Sequence, residues 1–141
     1  MAEVMADEAS FMVTMSKEKR DFTLDLELIA SLSHELNASF CSCFGDYSQV
    51  DWDDAPGWQK ISCMDGVLSI INGSVTTPSQ SHENWLALKT KEGWKYGPQK
   101  DPEKKEHPCM LPHANLPLFQ QVKDELFFGI VNSLKKLYNG K

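Results

Sequence analysis

The stretch from Thr77 to Gly93, TPSQSHENWLALKTKEG, contains the signals that begin and end one helix. Thr77 is a favoured N-cap, Pro78 suits the first helical position, and Gln80 stands where a capping box places a glutamine. Gly93 supplies a stop signal, because glycine readily adopts the left-handed conformation that follows many helices. The stretch therefore predicts a helix from Thr77 to about Lys91.

Three further segments have the apolar spacing of amphipathic helices. The first begins at Leu24 and ends before Gly45, the second runs from about Ala55 to Ile71, and the last begins near Pro117. The positions predicted to face the core are Leu24, Leu28, Ile29, Leu32, Leu36 and Phe40, then Trp58, Ile61, Met64 or Val67, Leu68 and Ile71, then Leu118, Val122, Leu126, Ile130, Leu134 and Leu137. The sequence predicts a mainly α fold, a compact bundle of about four helices with long ordered loops.

Two segments lack a helical period. Residues 1–22 are predicted to be an N-terminal arm that precedes a domain over residues 23–141. Within the arm, Phe11–Met15 is either a short strand that pairs with a second chain or a tail without contacts. The strand interpretation predicts a homodimer or higher homo-oligomer. Residues 45–56 are predicted to be a polar loop with an exposed Trp52.

Length and charge narrow the class of protein. A chain of 141 residues with 41% apolar content fits one domain with its own core. A net charge of −6 argues against binding nucleic-acid polymers, which requires a broad basic surface. No apolar run approaches the roughly 18 residues that span a bilayer, and the acidic N-terminus is unlike a signal peptide. We expect a cytoplasmic protein with no membrane partner and with reduced thiols.

One face of the predicted third helix combines aromatic and basic side chains. His82, Trp85 and Lys89 are spaced i, i+3 and i+7, so they lie in a row along the helix. An indole offers a surface on which a base can stack, and the two basic groups can balance a phosphate. The alternative is that Trp85 belongs to the core and His82 only hydrogen-bonds near the helix start.

The segment that follows this helix is locally basic. Residues 89–105 contain six lysines and three acids, a local charge of +3. Such a concentration of charge attracts an anion that the rest of the surface repels. Trp94 and Tyr96 alternate with Lys95 in an extended pattern, and Trp94 together with Trp85 could clamp one base. The alternative is a solvated loop with Trp94 packed against the third helix.

The sequence predicts no metal site, no cofactor and no enzyme. His107 and Cys109 are metal-ligand types, but no C-x-x-C or H-E-x-x-H spacing accompanies them. No nucleophile is accompanied by an orienting acid and an oxyanion hole. An enzyme that cleaves nucleotides is the alternative, with acid and base drawn from His34, Glu35, His82 and Glu83.

Four motifs fall in one order along the chain: HENW at residues 82–85, GW-x-YG-P at 93–98, K-D-x-x-K-K at 100–105 and HPC at 107–109. This order is similar to the ryanodine receptor repeat (RyR) domain of the stand-alone prokaryotic or phage type. HE-x-N at 34–37 and W-x-x-AP-x-WQ at 52–59 extend the resemblance over roughly residues 26–136. HELN at 34–37 and HEN at 82–84 resemble each other, which hints at a duplicated helical unit.

The resemblance implies non-enzymatic binding of a nucleotide-derived small molecule, because the RyR repeats of the channel are implicated in binding adenine nucleotides. It further implies a phage protein that sequesters an immune signalling nucleotide of the cyclic dinucleotide or cyclic ADP-ribose type. The expected ligand contacts are His34, Asn37, His82, Trp85, Lys89, Trp94, Tyr96, Lys100 and Lys105. The alternative is a protein-interaction module whose tryptophans are core and whose loop meets an acidic partner.

Overall fold

The computed structural model of the protein describes residues 23–138. Its α-helices are α1 (Leu26–Cys43), α2 (Gly57–Ile71), α3 (Pro78–Lys91) and α4 (Leu118–Leu134). Short 3-10 helices cover Trp52–Asp54, His113–Asn115 and Lys135–Leu137, and the two-residue strands β1 (Lys95–Tyr96) and β2 (Glu106–His107) pair in parallel. The predicted mainly α bundle of four helices is confirmed. The strand predicted at Phe11–Met15, like the whole arm, lies outside the described residues.

The predicted helix ends are largely confirmed. Thr77 Oγ1 accepts a hydrogen bond from the Gln80 backbone N–H at 3.3 Å, as expected of an N-cap. Gln80 Oε1 accepts from the Thr76 N–H at 2.8 Å, one residue before the partner that a capping box uses. Positive φ is found at the two predicted stops, Gly45 and Gly93, and also at Gly73, which follows α2. Local sequence signals therefore fix where these helices begin and end.

The core lies between α1, α2 and α4, and α3 packs on α4. Its buried residues are Ile29, Ala30, Trp52, Val67, Ile70, Val75 and Val131. These side chains come from both halves of the chain, so α1, α2 and α4 share one core, and α3 packs beside it.

The predicted core faces of the helices are partly wrong. In α1, Leu28 and Leu32 are 43% and 44% exposed, whereas Ala30, Ser33 and His34 are buried. Small side chains at the contact let neighbouring helices approach closely, and that approach determines which face is buried. In the other helices Trp58, Ile61, Leu68 and Leu118 are exposed, while Val67, Ile70 and Val131 are buried.

The predicted exposure of Trp52 is also wrong. Its indole is 6% exposed and makes edge contact with the ring of His34 at 5.6 Å. Lys60 Nζ lies 5.6 Å from the centre of the indole. The 3-10 helix turns the ring inward while the neighbouring Asp53 and Asp54 stay exposed. A polar loop sequence thus contains one core residue.

The pair α1–α2 is tied to its connecting link by two side-chain hydrogen bonds. His34 Nε2–H donates to Val50 O at 2.6 Å, and the Trp52 N–H donates to Glu35 Oε1 at 2.7 Å. His34 and Glu35, which are adjacent in α1, therefore bind the backbone of Val50 and Trp52, which are two positions apart between α1 and α2. We call residues 26–71 the first unit.

The pair α3–α4 repeats this arrangement. His82 Nε2–H donates to Leu111 O at 2.7 Å, and the His113 N–H donates to Glu83 Oε1 at 2.8 Å. The histidine and the glutamate are again adjacent, and their partners are again two positions apart. We call residues 78–134 the second unit.

The helices of the two units also begin and end in the same way. The shared features are a positive-φ glycine after the first helix, at Gly45 and Gly93, and a proline N-cap before the second helix, at Pro56 and Pro117. The links differ, because the link 44–51 of the first unit is short, whereas the link 92–112 of the second unit carries β1, β2 and four of the six lysines of residues 89–105. The repeated hydrogen bonds and ends support the duplicated unit that the two His-Glu sequences, at 34–35 and 82–83, suggested.

Replacing Gly97 by alanine is expected to destabilise the second link. A Cβ on Gly97 would lie 2.5 Å from Glu106 Cβ in the paired strand, so the backbone must shift. We expect a loss of about 1–3 kcal/mol in the free energy of unfolding, measured by urea denaturation. The control is Gly129→Ala in α4, where no atom lies within 4 Å of the new Cβ. That change should stabilise by about 0.5–1 kcal/mol. Equal stability of both variants would contradict the close strand contact.

Candidate ligand-binding site

A cleft of about 250 Å³ lies in the second unit. It is lined by Ser81, His82, Trp85, His107, Cys109 and Asp124. The first three side chains come from one face of α3, the next two from the link, and the last from α4. We call it the second-unit cleft.

A row of rings runs along this cleft. The ring centres of His82 and Trp85 are 5.5 Å apart, and His107 lies 5.2 Å from Trp85 and 6.5 Å from Trp94. Lys89 Nζ lies 5.4 Å from the centre of the Trp94 ring. The structure therefore brings four predicted residues together, and it adds His107, whose ring contacts both indoles. Trp85 and Trp94 were predicted to clamp one base, so a base bound there must share the space between the two indoles with the His107 imidazole.

His107 presents a neutral ring to the cleft. The Cys109 N–H donates to His107 Nδ1 at 2.9 Å, which places the ring proton on Nε2. Burial lowers the pKa of His107, and the charges of Lys100 and Lys89 lower it further. Sequence reasoning considered His107 only as a metal ligand or catalytic partner. The HPC motif was the signal that could have identified it as part of the site.

Asp124 lies at the base of the cleft. Its Oδ2 is 3.3 Å from His113 Nε2, yet the contact lacks hydrogen-bond geometry, and within residues 23–138 neither atom has another partner. Burial raises the pKa of Asp124, and nearby positive charge at His82 and His113 offsets part of the rise. A carboxylate in this position can accept a hydrogen bond from a ligand N–H. No sequence motif marks Asp124, so sequence reasoning missed it.

The other predicted residues of the link lie around the cleft rather than in its wall. Lys105 Nζ donates to Glu92 O at 2.8 Å, so this ammonium closes the end of α3. Tyr96 is 53% exposed on β1. Lys100 is exposed, and its charge is close enough to lower the pKa of His107. Of these three, Lys100 is the one with its charge available at the rim.

His34 and Asn37 line a different cavity. This first-unit cavity has a volume of about 290 Å³. Its wall contains Ser33, His34, Leu36, Asn37, Gln49, Trp58, Gln59, Ser62, Cys63, Lys123, Asp124, Leu126 and Phe127. Asp124 belongs to the walls of both cavities, so the predicted ligand residues form two groups that adjoin at one carboxylate.

The groups expected of an enzyme serve other contacts. Glu35 and Glu83 accept backbone hydrogen bonds, as described above. Burial raises the pKa of the Cys63 thiol to about 11 and also raises the pKa of the Cys109 thiol, which disfavours the nucleophilic thiolate. Within residues 23–138, no group of three or more His, Cys, Asp or Glu side chains is arranged to hold a metal ion.

Residues 75–138 match the family model of the RyR domain. The matched segment contains the whole second unit, its link and the second-unit cleft. The first unit lies outside the match, although it repeats the hydrogen bonds of the second. Over the part of the chain that is described, no helix is long and apolar enough to cross a membrane. The resemblance of the motifs at residues 82–109 is thereby confirmed, and residues 75–138 of this chain carry an RyR domain.

Proposed function

We propose that this chain is a non-enzymatic binding module that holds a nucleotide-derived small molecule in the second-unit cleft. The observation that carries the proposal is the row of rings formed by Trp85, His107 and Trp94 beside Lys89. Aromatic stacking of a base contributes roughly 1–3 kcal/mol in single-strand binders. The lysines at the rim can balance a phosphate that the acidic remainder of the surface would repel.

The cleft favours one orientation of the ligand. Its volume of about 250 Å³ is small for a ligand pocket, so it fits one base and leaves the phosphates at the rim. The Asp124 side chain lies in the cleft wall and is 28% exposed, so a base amine directed at it could donate a hydrogen bond to the carboxylate. The phosphates would then lie toward Lys89 and Lys100. The proposed ligand therefore has an amine-bearing base and at least one phosphate.

Two observations favour binding without turnover. The four candidate acid–base residues, His34, Glu35, His82 and Glu83, all hold backbone groups of the links. The thiol beside the cleft, Cys109, has a raised pKa. A general acid or base must reach the substrate proton, and these groups are already engaged. We expect the ligand to be released intact.

The biological role that we propose is sequestration. A phage protein of this kind would remove an immune signalling nucleotide, such as a cyclic dinucleotide or a cyclic ADP-ribose relative, in the host cytoplasm. The support is the RyR domain together with the aromatic and basic cleft. Lowering the free concentration of a signal requires affinity and copy number but no catalysis.

We further propose a homodimer held by the apolar segment Phe11–Met15, which lies outside the described residues. Light scattering of the full chain is expected to give a dimer, and a chain that begins at Met15 is expected to give a monomer. A monomer in both cases would remove the proposal. A dimer in both would keep the oligomer and exclude the arm as its cause.

A protein-interaction module is the second candidate function. One exposed apolar cluster favours it: the ring of Phe119 lies 5.1 Å from Phe40 and 5.3 Å from Phe44, and Leu118 beside it is 75% exposed. Exposed apolar clusters often mark protein contacts. Binding through this cluster would not depend on Trp85, whereas nucleotide binding would.

Calorimetric titration with AMP, ADP-ribose and cyclic di-AMP tests the proposed function. At least one of these nucleotides should bind to the purified full chain, and its affinity should fall as salt rises, because lysine charges contribute. Failure of all three to bind at millimolar concentration would contradict nucleotide binding and favour the interaction module.

The pKa of His107 reports where the phosphate lies. The charges of Lys100 and Lys89 help to lower this pKa, so a phosphate that balances them should raise it. NMR titration of the imidazole is expected to give a higher pKa with bound AMP than with bound adenosine. As a control, Lys100→Ala should raise the pKa of His107 in the free protein. The same pKa with both ligands would place the phosphate away from the lysines.

A further inference from the structure

The two cavities occupy the same place in the two units. Four positions that line the second-unit cleft have counterparts in the wall of the first-unit cavity when His34 is placed on His82 and Pro56 on Pro117. The four pairs are Ser33 with Ser81, His34 with His82, Asn37 with Trp85, and Cys63 with Asp124. The first-unit cavity is therefore a repeated feature of the fold and not an accidental gap.

Two differences explain why the first-unit cavity is the larger. Asn37 stands where the second unit has Trp85, and Cys63 stands where it has Asp124, so smaller side chains line the wall. The short link 44–51 brings no ring over the cavity, whereas the longer link 92–112 brings His107 over the cleft. The whole cavity, about 290 Å³, is sufficient for one planar ring.

The wall of this cavity combines a stacking surface with amide groups. Trp58 lies on the wall and is 68% exposed, which is unusual for an indole on a helix that contributes to the core. Asn37, Gln49 and Gln59 place amide groups on the same wall. An amide pairs with a base edge through one donor and one acceptor, as asparagine and glutamine do with adenine. Lys123 adds one positive charge.

We propose that the first-unit cavity is a second binding site, which takes a nucleobase through its hydrogen-bonding edge. The ring stacks on Trp58, and its edge meets the amides of Asn37 and Gln59. Because Asp124 lines both cavities, the two sites adjoin. This site does not depend on the proposed function of the second-unit cleft, since its residues are different except for Asp124.

Nucleosides test base recognition without a phosphate, and the indole signal that shifts, Trp58 or Trp85 and Trp94, shows which site the nucleoside occupies. We propose ¹H–¹⁵N NMR of the full chain titrated with adenosine, guanosine, cytidine and uridine at millimolar concentration. At least one nucleoside is expected to shift the Trp58 indole N–H signal and the side-chain amide signals of Asn37 and Gln59. Trp58→Ala should weaken binding at this site about tenfold or more.

Two variants control for folding and position. Asn37→Trp copies the side chain of the second unit and should fill the cavity, so the nucleoside shifts at Trp58 should disappear. Ile61→Ala changes another exposed residue of α2, 59% exposed, and should leave binding unchanged. Both should keep the helical circular dichroism spectrum of the parent chain. Should Asn37→Trp unfold, Trp58→Ala remains the test, because its exposed ring is not needed for the core.

The outcomes distinguish the two proposals. Shifts at Trp58 support the second site, whether or not Trp85 and Trp94 also respond. If nucleosides shift the Trp58 signal and the nucleotide panel has no effect at Trp85, the second site is supported and the proposed function of the cleft is contradicted. Shifts confined to Trp85 and Trp94 would overturn the second site and leave the cleft proposal intact. Absence of a shift at Trp58 with all four nucleosides would overturn it as well.

Discussion

Replacing Trp52 by alanine is expected to lower the free energy of unfolding by about 3–5 kcal/mol, the range for truncating a buried aromatic residue. The indole is 6% exposed, belongs to the shared core and contacts the His34 ring. Its loss removes apolar contacts and leaves a cavity that the packed helices cannot close. Urea denaturation followed by circular dichroism measures the effect.

The matched control is Trp58→Ala. Trp58 lies six residues further along the same motif, but its ring is 68% exposed. Removing a surface side chain usually changes stability by no more than about 0.5 kcal/mol. A large loss from Trp58→Ala together with a small one from Trp52→Ala would mean that the assignment of core and surface in the first unit is wrong.

Replacing Trp85 by alanine is expected to remove most nucleotide binding, a loss on the order of 1–3 kcal/mol of binding free energy per stacked ring. Trp94→Ala should act similarly, because both indoles flank the His107 ring. Lys89→Ala and Lys100→Ala should each cost about 1 kcal/mol or less, and this cost should shrink with added salt. Calorimetry with the tightest nucleotide of the panel measures these losses.

Two controls separate a lost contact from a lost fold. Trp85→Phe keeps an aromatic face in the cleft, so it should retain part of the binding that Trp85→Ala loses. Tyr47→Ala removes an aromatic ring that is 79% exposed and lies in neither cavity, so it should bind as the parent chain does. If Trp85→Ala and Trp94→Ala both unfold, the tryptophans act in the core. If Trp85→Ala stays folded and binds as the parent chain does, the stacking account is wrong.

Helix positions were predictable because their signals are local. The Thr77 cap and the stop at Gly93 depend on residues within a few positions of each other, and both are confirmed. Core faces were less predictable, because burial depends on which helices meet. Leu28 fits a regular leucine stripe and is nevertheless exposed, whereas the smaller Ala30 is fully buried at the helix contact. The apolar period of the sequence does not show which of these two faces of α1 is buried.

The candidate site was predictable to the extent that it lies on one helix. His82, Trp85 and Lys89 share a face of α3 by spacing alone, and the structure places Trp94 beside them. Asp124 comes from α4, far along the chain, so only the fold brings it to the cleft.

The family resemblance grouped His34 and Asn37 with the residues of the lysine-rich link. Residue spacing could not show that they line a different cavity. These residues lie in the first unit, where α1, α2 and α4 together line this cavity. The two His-Glu sequences, at 34–35 and 82–83, indicated a repeat. Their spacing could not indicate that each copy has its own cavity, or that the two cavities meet at Asp124.

Native mass spectrometry after incubation with the nucleotide panel tests the central claim most directly, when it is followed by heat release and mass determination of the bound molecule. The account predicts a complex of the full chain with at least one nucleotide, which is absent in Trp85→Ala, and a released ligand with unchanged mass. A chain that binds none of the nucleotides would contradict the binding claim. A released product of altered mass would contradict the claim that the ligand is held without turnover.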